Sequence, residues 1–187
     1  MIDSTIARLR WYADKGREYR NWYSRSSASI IAYCHESGLN PDSFIDVLAL
    51  VSPRCKVQRS ITRAIEYCST GMLPRDVPIS IRQSVSHWEC TGEIRGPKTS
   101  AFSRALKGDK NAVVLDVWIC RAIGCPHELI TRKANWAMGD KLIRSVAFLL
   151  RWPPREAQAA IWSGIVLENR LSVPILEIGS VHNVQAI

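Results

Sequence analysis

Apolar residues recur every three or four positions along most of this chain, and a proline or glycine closes nearly every such run. Val57, Ile61, Ala64, Ile65 and Cys68 make one series; Phe44, Ile45, Leu48 and Ala49 make another. That period builds one apolar stripe on an α-helix and none on a strand. The spacing predicts an all-α fold. Helices are expected from about Ile6 to Trp22, over Ala28–Ser37, and from Pro41-Asp42 to the break at Ser52-Pro53-Arg54. Pro41 suits a first helical position, and Pro53 disfavours helix at the residue before it. Further helices are expected over Val57–Cys68, Pro78–Trp88, Lys98–Leu106, Val117–Ile123, Lys133–Trp152 and Arg155–Leu167, with a loop marked by Gly71 and Pro74. Val113-Val114-Leu115 is β-branched and apolar, but only three residues long. The tail from Ser172 carries no assignable pattern.

Nearly half of the 187 residues are hydrophobic, so a substantial core can form. No run of eighteen apolar residues occurs, so no membrane span is expected. The first ten residues lack the apolar centre of a signal peptide, which predicts a cytoplasmic protein; a monomer is expected. The formal net charge of +8 suits a polyanionic partner, because cations on phosphates release condensed counterions. Arg10, Arg17, Arg20 and Arg25 interleave with Trp11, Tyr12, Tyr19, Trp22 and Tyr23. Either this is a nucleic-acid surface, or the rings pack inward while the arginines stay wet; packing is the expected role for most of them. Six cysteines occur without a C-x-x-C pair or a histidine at finger spacing. Reduced, mostly buried thiols are expected, with no metal and no cofactor.

Gly92 to Gly124 is the segment that carries chemistry: GEIRGPKTSAFSRALKGDKNAVVLDVWICRAIG. Gly96 permits a tight connection before a helix in which Ala101 and Ala105, and Phe102 and Leu106, stand four apart. Gly108-Asp109 stops that helix. Val113-Val114-Leu115 buries the chain again, and Asp116 sits where an N-cap belongs. Gly124 and Pro126 end the next helix. A lysine opening one helix and an aspartate opening the next can meet in one cleft. Amides around Gly96 can hold a phosphate, because helix N-termini attract anions.

These residues resemble helix-hairpin-helix DNA glycosylases of the endonuclease III type. That family carries a hairpin ending in G-x-K-T/V, then an apolar run and an aspartate. Here Gly96-Pro97-Lys98-Thr99 is followed by Val113-Val114-Leu115-Asp116-Val117, with eighteen positions from Lys98 to Asp116. The resemblance implies a two-lobed helical fold with a DNA cleft between lobes. It implies that Lys98 is an amine nucleophile and Asp116 the essential carboxylate. Phe44 to Arg54 looks like the family's apolar helix before its wedging loop, which gives Arg54 the gap left by a flipped base. Arg95, Gly96, Thr99 and Arg104 become DNA contacts, and double-stranded DNA the partner. One glycosylase domain then spans 1–187. Residues 1–40 join the second lobe, 41–90 form a helical lobe, 92–124 hold the hairpin and aspartate, and 133–187 form the C-terminal helices.

Two positions depart from the pattern: Ile94 stands where the hairpin usually has another glycine, and Trp118 where a histidine is common. The cysteine cluster that binds iron–sulfur in some members is missing. The short hairpin is similar to small phage-associated relatives, which implies excision of a bulky modified pyrimidine. His87, Trp88 and Trp118 are candidates for the base pocket, with Trp136 and Trp152 also available.

Breaking an N-glycosidic bond builds positive charge on the sugar, and a carboxylate in a water-poor site stabilises it. Lys98 attacks only as a neutral amine, against an ordinary pKa of about 10.4; Arg95 and Arg104 are the cations nearest in sequence. A Schiff base then permits strand nicking. If Lys98 stays protonated it orients DNA, and water completes the excision. The rival readings are a non-catalytic hairpin module, a glycosylase for ordinary oxidised pyrimidines, a related enzyme acting on a modified base by a different group transfer, and an unrelated basic helical regulator.

Overall fold

The computed structural model describes residues 2–126, 132–174 and 178. Its described secondary structure is helical throughout, as the periodicity predicts. The elements are α1 (Ile2–Lys15), α2 (Trp22–Ser37), α3 (Pro41–Val51), α4 (Val57–Thr70), α5 (Ile79–Thr91), α6 (Pro97–Leu106), α7 (Val117–Ile123), α8 (Lys133–Leu150) and α9 (Pro154–Glu168), with a single 3-10 turn at Arg17–Tyr19. No described helix is long and apolar enough to cross a membrane. The chain divides into two units: Met1–Ser24 with Gly108–Val173, and Arg25–Lys107 with Pro174–Ile187.

In the first unit α1, α7, α8 and α9 share one core. Leu9 and Ala13 of α1 meet Leu115, Ile119 and Cys120 around α7, Ile143 and Val146 of α8, and Ala160, Ile161 and Ile165 of α9. The expected helix from Ile6 to Trp22 does not run through: α1 ends at Lys15, and α2 starts at Trp22 rather than at Ala28. The reason lies far away in sequence. A Cβ on Gly16 would sit 2.1 Å from the Ala160 carbonyl oxygen, and one on Gly164 would sit 2.0 Å from that of Tyr12. The backbones of α1 and α9 touch, and the chain turns away after that contact.

In the second unit α3 is the buried rod, with Phe44, Ile45, Val47, Leu48, Ala49, Leu50 and Val51 all withdrawn from solvent. A helix apolar on nearly every face must lie inside, and α4, α5 and α6 all pack on it. Its start is fixed by Asn40, whose side chain accepts from the Ser43 amide at 2.9 Å, and by Pro41 at the first turn. Asp46 is the one carboxylate of α3 that faces these neighbours, and its side chain is 13% exposed. It accepts from Ser103 Oγ at 2.6 Å and Trp88 Nε1 at 3.3 Å, and pairs with Lys107 Nζ at 2.8 Å. One carboxylate thereby ties α3 to α5 and α6.

Other helices end one turn or less from their expected positions. α4 and α5 run on to Thr70 and Thr91, each capped by a left-handed glycine, Gly71 and Gly92. α8 stops at Leu150, because Arg151 takes a left-handed conformation before Pro153. Val113-Val114-Leu115 is buried but forms no strand among the described residues. Of the cysteines, Cys34, Cys120 and Cys125 are buried, Cys55 and Cys68 half-buried and Cys90 exposed. Most of the tail after Ser172 lies outside the described residues.

Candidate active site

Lys98, Thr99, Gly96, Arg95, Arg104, Arg54, His87 and Trp88 belong to the second unit; Asp116 and Trp118 belong to the first.

The hairpin of the second unit connects α5 to α6 through Gly92 to Gly96. Gly96 has φ 93° and ψ 129°, outside the range of ordinary L-residues, and a Cβ there would crowd Thr99 Oγ1 at 3.0 Å. Thr99 is buried, and its hydroxyl donates to the Arg95 carbonyl at 2.6 Å and contacts that of Gly96 at 3.0 Å. Its side chain therefore braces the hairpin from inside. Arg95 and Gly96 stay exposed, as does Arg104 further along α6. At 100° per residue, six positions set Arg104 on a different face of α6 from Lys98.

Lys98 stands in the first turn of α6, half-buried. Its Nζ donates to Ser52 Oγ at 2.8 Å and lies 5.2 Å from the centre of the Phe102 ring. Ser52 closes α3 and donates in turn to the Ala49 carbonyl at 2.9 Å. Two residues on, exposed Arg54 takes a left-handed conformation, φ 55°, which turns the loop sharply. The hairpin lysine and the Arg54 loop, 46 positions apart at the Ser52 contact, are thus joined by one hydrogen bond.

Neither proposed wall of the base pocket on α5 has a loose polar end. Trp88 donates to Asp46, and His87 Nε2 lies 3.2 Å from Thr91 Oγ1. Trp118 packs partly buried against the core of its own unit, with the Arg121 guanidinium 5.3 Å from its ring.

In the first unit Asp116 caps α7, as its sequence position predicts. One carboxylate oxygen accepts from the amides of Trp118 and Ile119, both at 3.0 Å. Those bonds favour the ionised form. Asp116 itself is half-buried. One turn along, burial foremost and the Asp116 charge next push the Cys120 thiol up to about 12. Tyr23 is buried, and its hydroxyl donates to Gln158 Oε1 at 2.8 Å. Burial drives that phenol's pKa far upward, the Asp116 charge adds to this, and Arg155 and the Gln158 bond oppose it. Arg155, itself buried, donates to Ser24 Oγ at 3.1 Å.

Sequence reasoning missed four of these residues. Ser52 gave no signal beyond ending a helix. Tyr23 read as one aromatic among several. Arg155 and Gln158 did carry a faint one: two polar residues three apart in the apolar run of α9, hence on one face.

The chain belongs to the family of unknown function DUF7178, which it matches over residues 10–170. No curated protein and no solved structure matches it.

Proposed function

We propose that this chain is a DNA glycosylase of the helix-hairpin-helix class, excising a modified base by flipping it and cleaving its N-glycosidic bond. The observation that carries the reading is the hydrogen bond from Lys98 to Ser52. It links two features that the resemblance named separately, the hairpin lysine and the loop with Arg54. The helix–hairpin–helix of α5 and α6, with Gly96 in a backbone conformation that favours glycine, and Asp116 as a half-buried helix cap support the same reading.

On this reading the fold is the two-lobed glycosylase fold, with double-stranded DNA in its cleft. Phosphate meets the exposed amides and cations around Arg95, Gly96 and Arg104. Arg54 fills the stack when the base leaves, a step costing a few kcal/mol that favours weakly paired bases. Asp116 stabilises the cationic sugar. Lys98 either displaces the base at the sugar carbon as a neutral amine, losing its protons to give a Schiff base from which β-elimination releases the strand, or stays protonated and orients the backbone while water displaces the base. The substrate proposed is a bulky modified pyrimidine of phage-type DNA, in keeping with the short hairpin and with Trp118 in place of histidine.

The test is mass spectrometry of bases released from a panel of DNAs, including phage DNA with substituted or glucosylated pyrimidines. The reading expects one modified pyrimidine to be freed. DNA binding without release from any substrate would reduce the chain to a hairpin module. Borohydride trapping separates the two roles of Lys98: a covalent adduct lost in Lys98→Ala marks the nucleophile.

A further inference from the structure

Tyr23, Arg155 and Gln158 are 5%, 7% and 2% exposed, and they lie in one polar cluster within the first unit. Burying a guanidinium is costly unless an anion and hydrogen-bond acceptors face it. Ser24 Oγ is one acceptor. The backbone amide of Arg155 also donates to the Lys110 carbonyl at 3.1 Å, tying the first turn of α9 to the strand of chain that leads into Asp116. Past Asp116, α7 packs on α9 through Ile119, Cys120, Ala160 and Ile161. Both ends of the Asp116 segment are therefore fastened to the helix that carries Arg155 and Gln158.

Asp116 and Arg155 act on the same buried Tyr23 hydroxyl with opposite signs. Cys120 contributes a thiol held neutral by burial. The neighbouring Glu156 faces Arg20 at 3.8 Å. The Tyr23 hydroxyl donates to Gln158 Oε1, which holds the phenol in place within the cluster.

We infer that Arg155, Tyr23 and Gln158 are positioning residues for Asp116. The buried guanidinium supplies the charge that holds Asp116 as a carboxylate, and the Tyr23–Gln158 pair fixes the polar cluster around it. The catalytic meaning of this rests on the glycosylase reading; the electrostatic arrangement does not.

The test is a carbon-13 NMR titration of the aspartate carboxyls in the full chain, with Asp116→Asn assigning the signal. An opposite charge close by lowers an aspartate's pKa by about 1–3 units. The Asp116 midpoint is thus expected below the ordinary value of about 3.9 in the native protein. It should rise by about 1–3 pH units in Arg155→Gln and return most of the way in Arg155→Lys. A native midpoint at or above about 3.9 overturns the inference even if Arg155→Gln fails to fold. So does an unmoved midpoint in a folded Arg155→Gln. If the protein releases bases, the acid limb of kcat should rise with the same midpoint. If it releases none, the glycosylase reading fails and the titration still decides this one.

Discussion

Gly164 lies mid-helix in α9, where alanine would ordinarily be the better residue by about 1 kcal/mol. The contact with α1 reverses that expectation. A Cβ at Gly164 would sit 2.0 Å from the Tyr12 carbonyl oxygen and 2.7 Å from its carbon. Both are backbone atoms that cannot rotate aside, so α1 must retreat by about 1 Å to restore contact distance. The same Tyr12 oxygen accepts from the Gly16 amide at 2.9 Å, so the retreat also loosens the end of α1. Overpacking costs about 1–3 kcal/mol where side chains yield, and a backbone obstacle belongs at the upper end. With the propensity gain subtracted, Gly164→Ala is expected to destabilise by about 2 kcal/mol. At about 2–4 °C per kcal/mol for a chain of this size, thermal melting followed by circular dichroism should show Tm lower by about 4–8 °C. Gly139→Ala in α8 is the comparison. Its Cβ would meet only the tips of Leu115 and Ile123, at 2.8 and 3.2 Å, which can turn away. It should cost less than Gly164→Ala. An unchanged or raised Tm in Gly164→Ala would refute the close crossing of α1 and α9.

Asp46→Ala leaves Ser103, Lys107 and Trp88 without their shared acceptor, and denaturant unfolding should show a loss of about 2–3 kcal/mol; a change under 0.5 kcal/mol would deny the carboxylate its tying role. Burial pushes the thiol of Cys34 up to about 11 and those of Cys68 and Cys120 up to about 12. At pH 8 a disulfide reagent should therefore label exposed Cys90 in its fast phase, and Cys90→Ser should remove that phase. Hydrogen bonds from Arg63 and Arg59 hold Asp76 down at about 2. Because its folded pKa is depressed, the stabilisation is present above the ordinary carboxyl value and is lost as pH falls from about 4 toward 2. Arg63→Ala should raise the Asp76 titration midpoint and move acid unfolding to higher pH; an unmoved midpoint would contradict the pairing.

Local punctuation made most helices legible. Pro41, Gly71, Gly92, Gly124 and Pro154 act within a turn of where they stand, so their neighbours reveal them. Gly16 was not legible as a break, because what makes it one is Ala160 on another helix. The candidate site divides the same way. Asp116 announces its cap through the apolar run before it and the helix after it. Lys98 announces its place through Gly96-Pro97. Their partners do not: Ser52 bonds Lys98 from 46 positions away, and Gln158 bonds Tyr23 from 135. Trp88 read as a pocket wall, yet its indole N–H is held by Asp46 on a helix 42 positions upstream. Long-range polar pairing leaves no period in a sequence, so only the fold exposes it.

The central claim is that Asp116 stabilises a cationic sugar during base excision. It is tested most directly by single-turnover release of a modified pyrimidine from duplex DNA, comparing the native chain with Asp116→Asn. Asparagine caps a helix about as well as aspartate, so melting should show the variant folded. The account predicts that release slows by at least about 100-fold, since the charge is removed while the cap remains. Release at the native rate by a folded Asp116→Asn protein would contradict it.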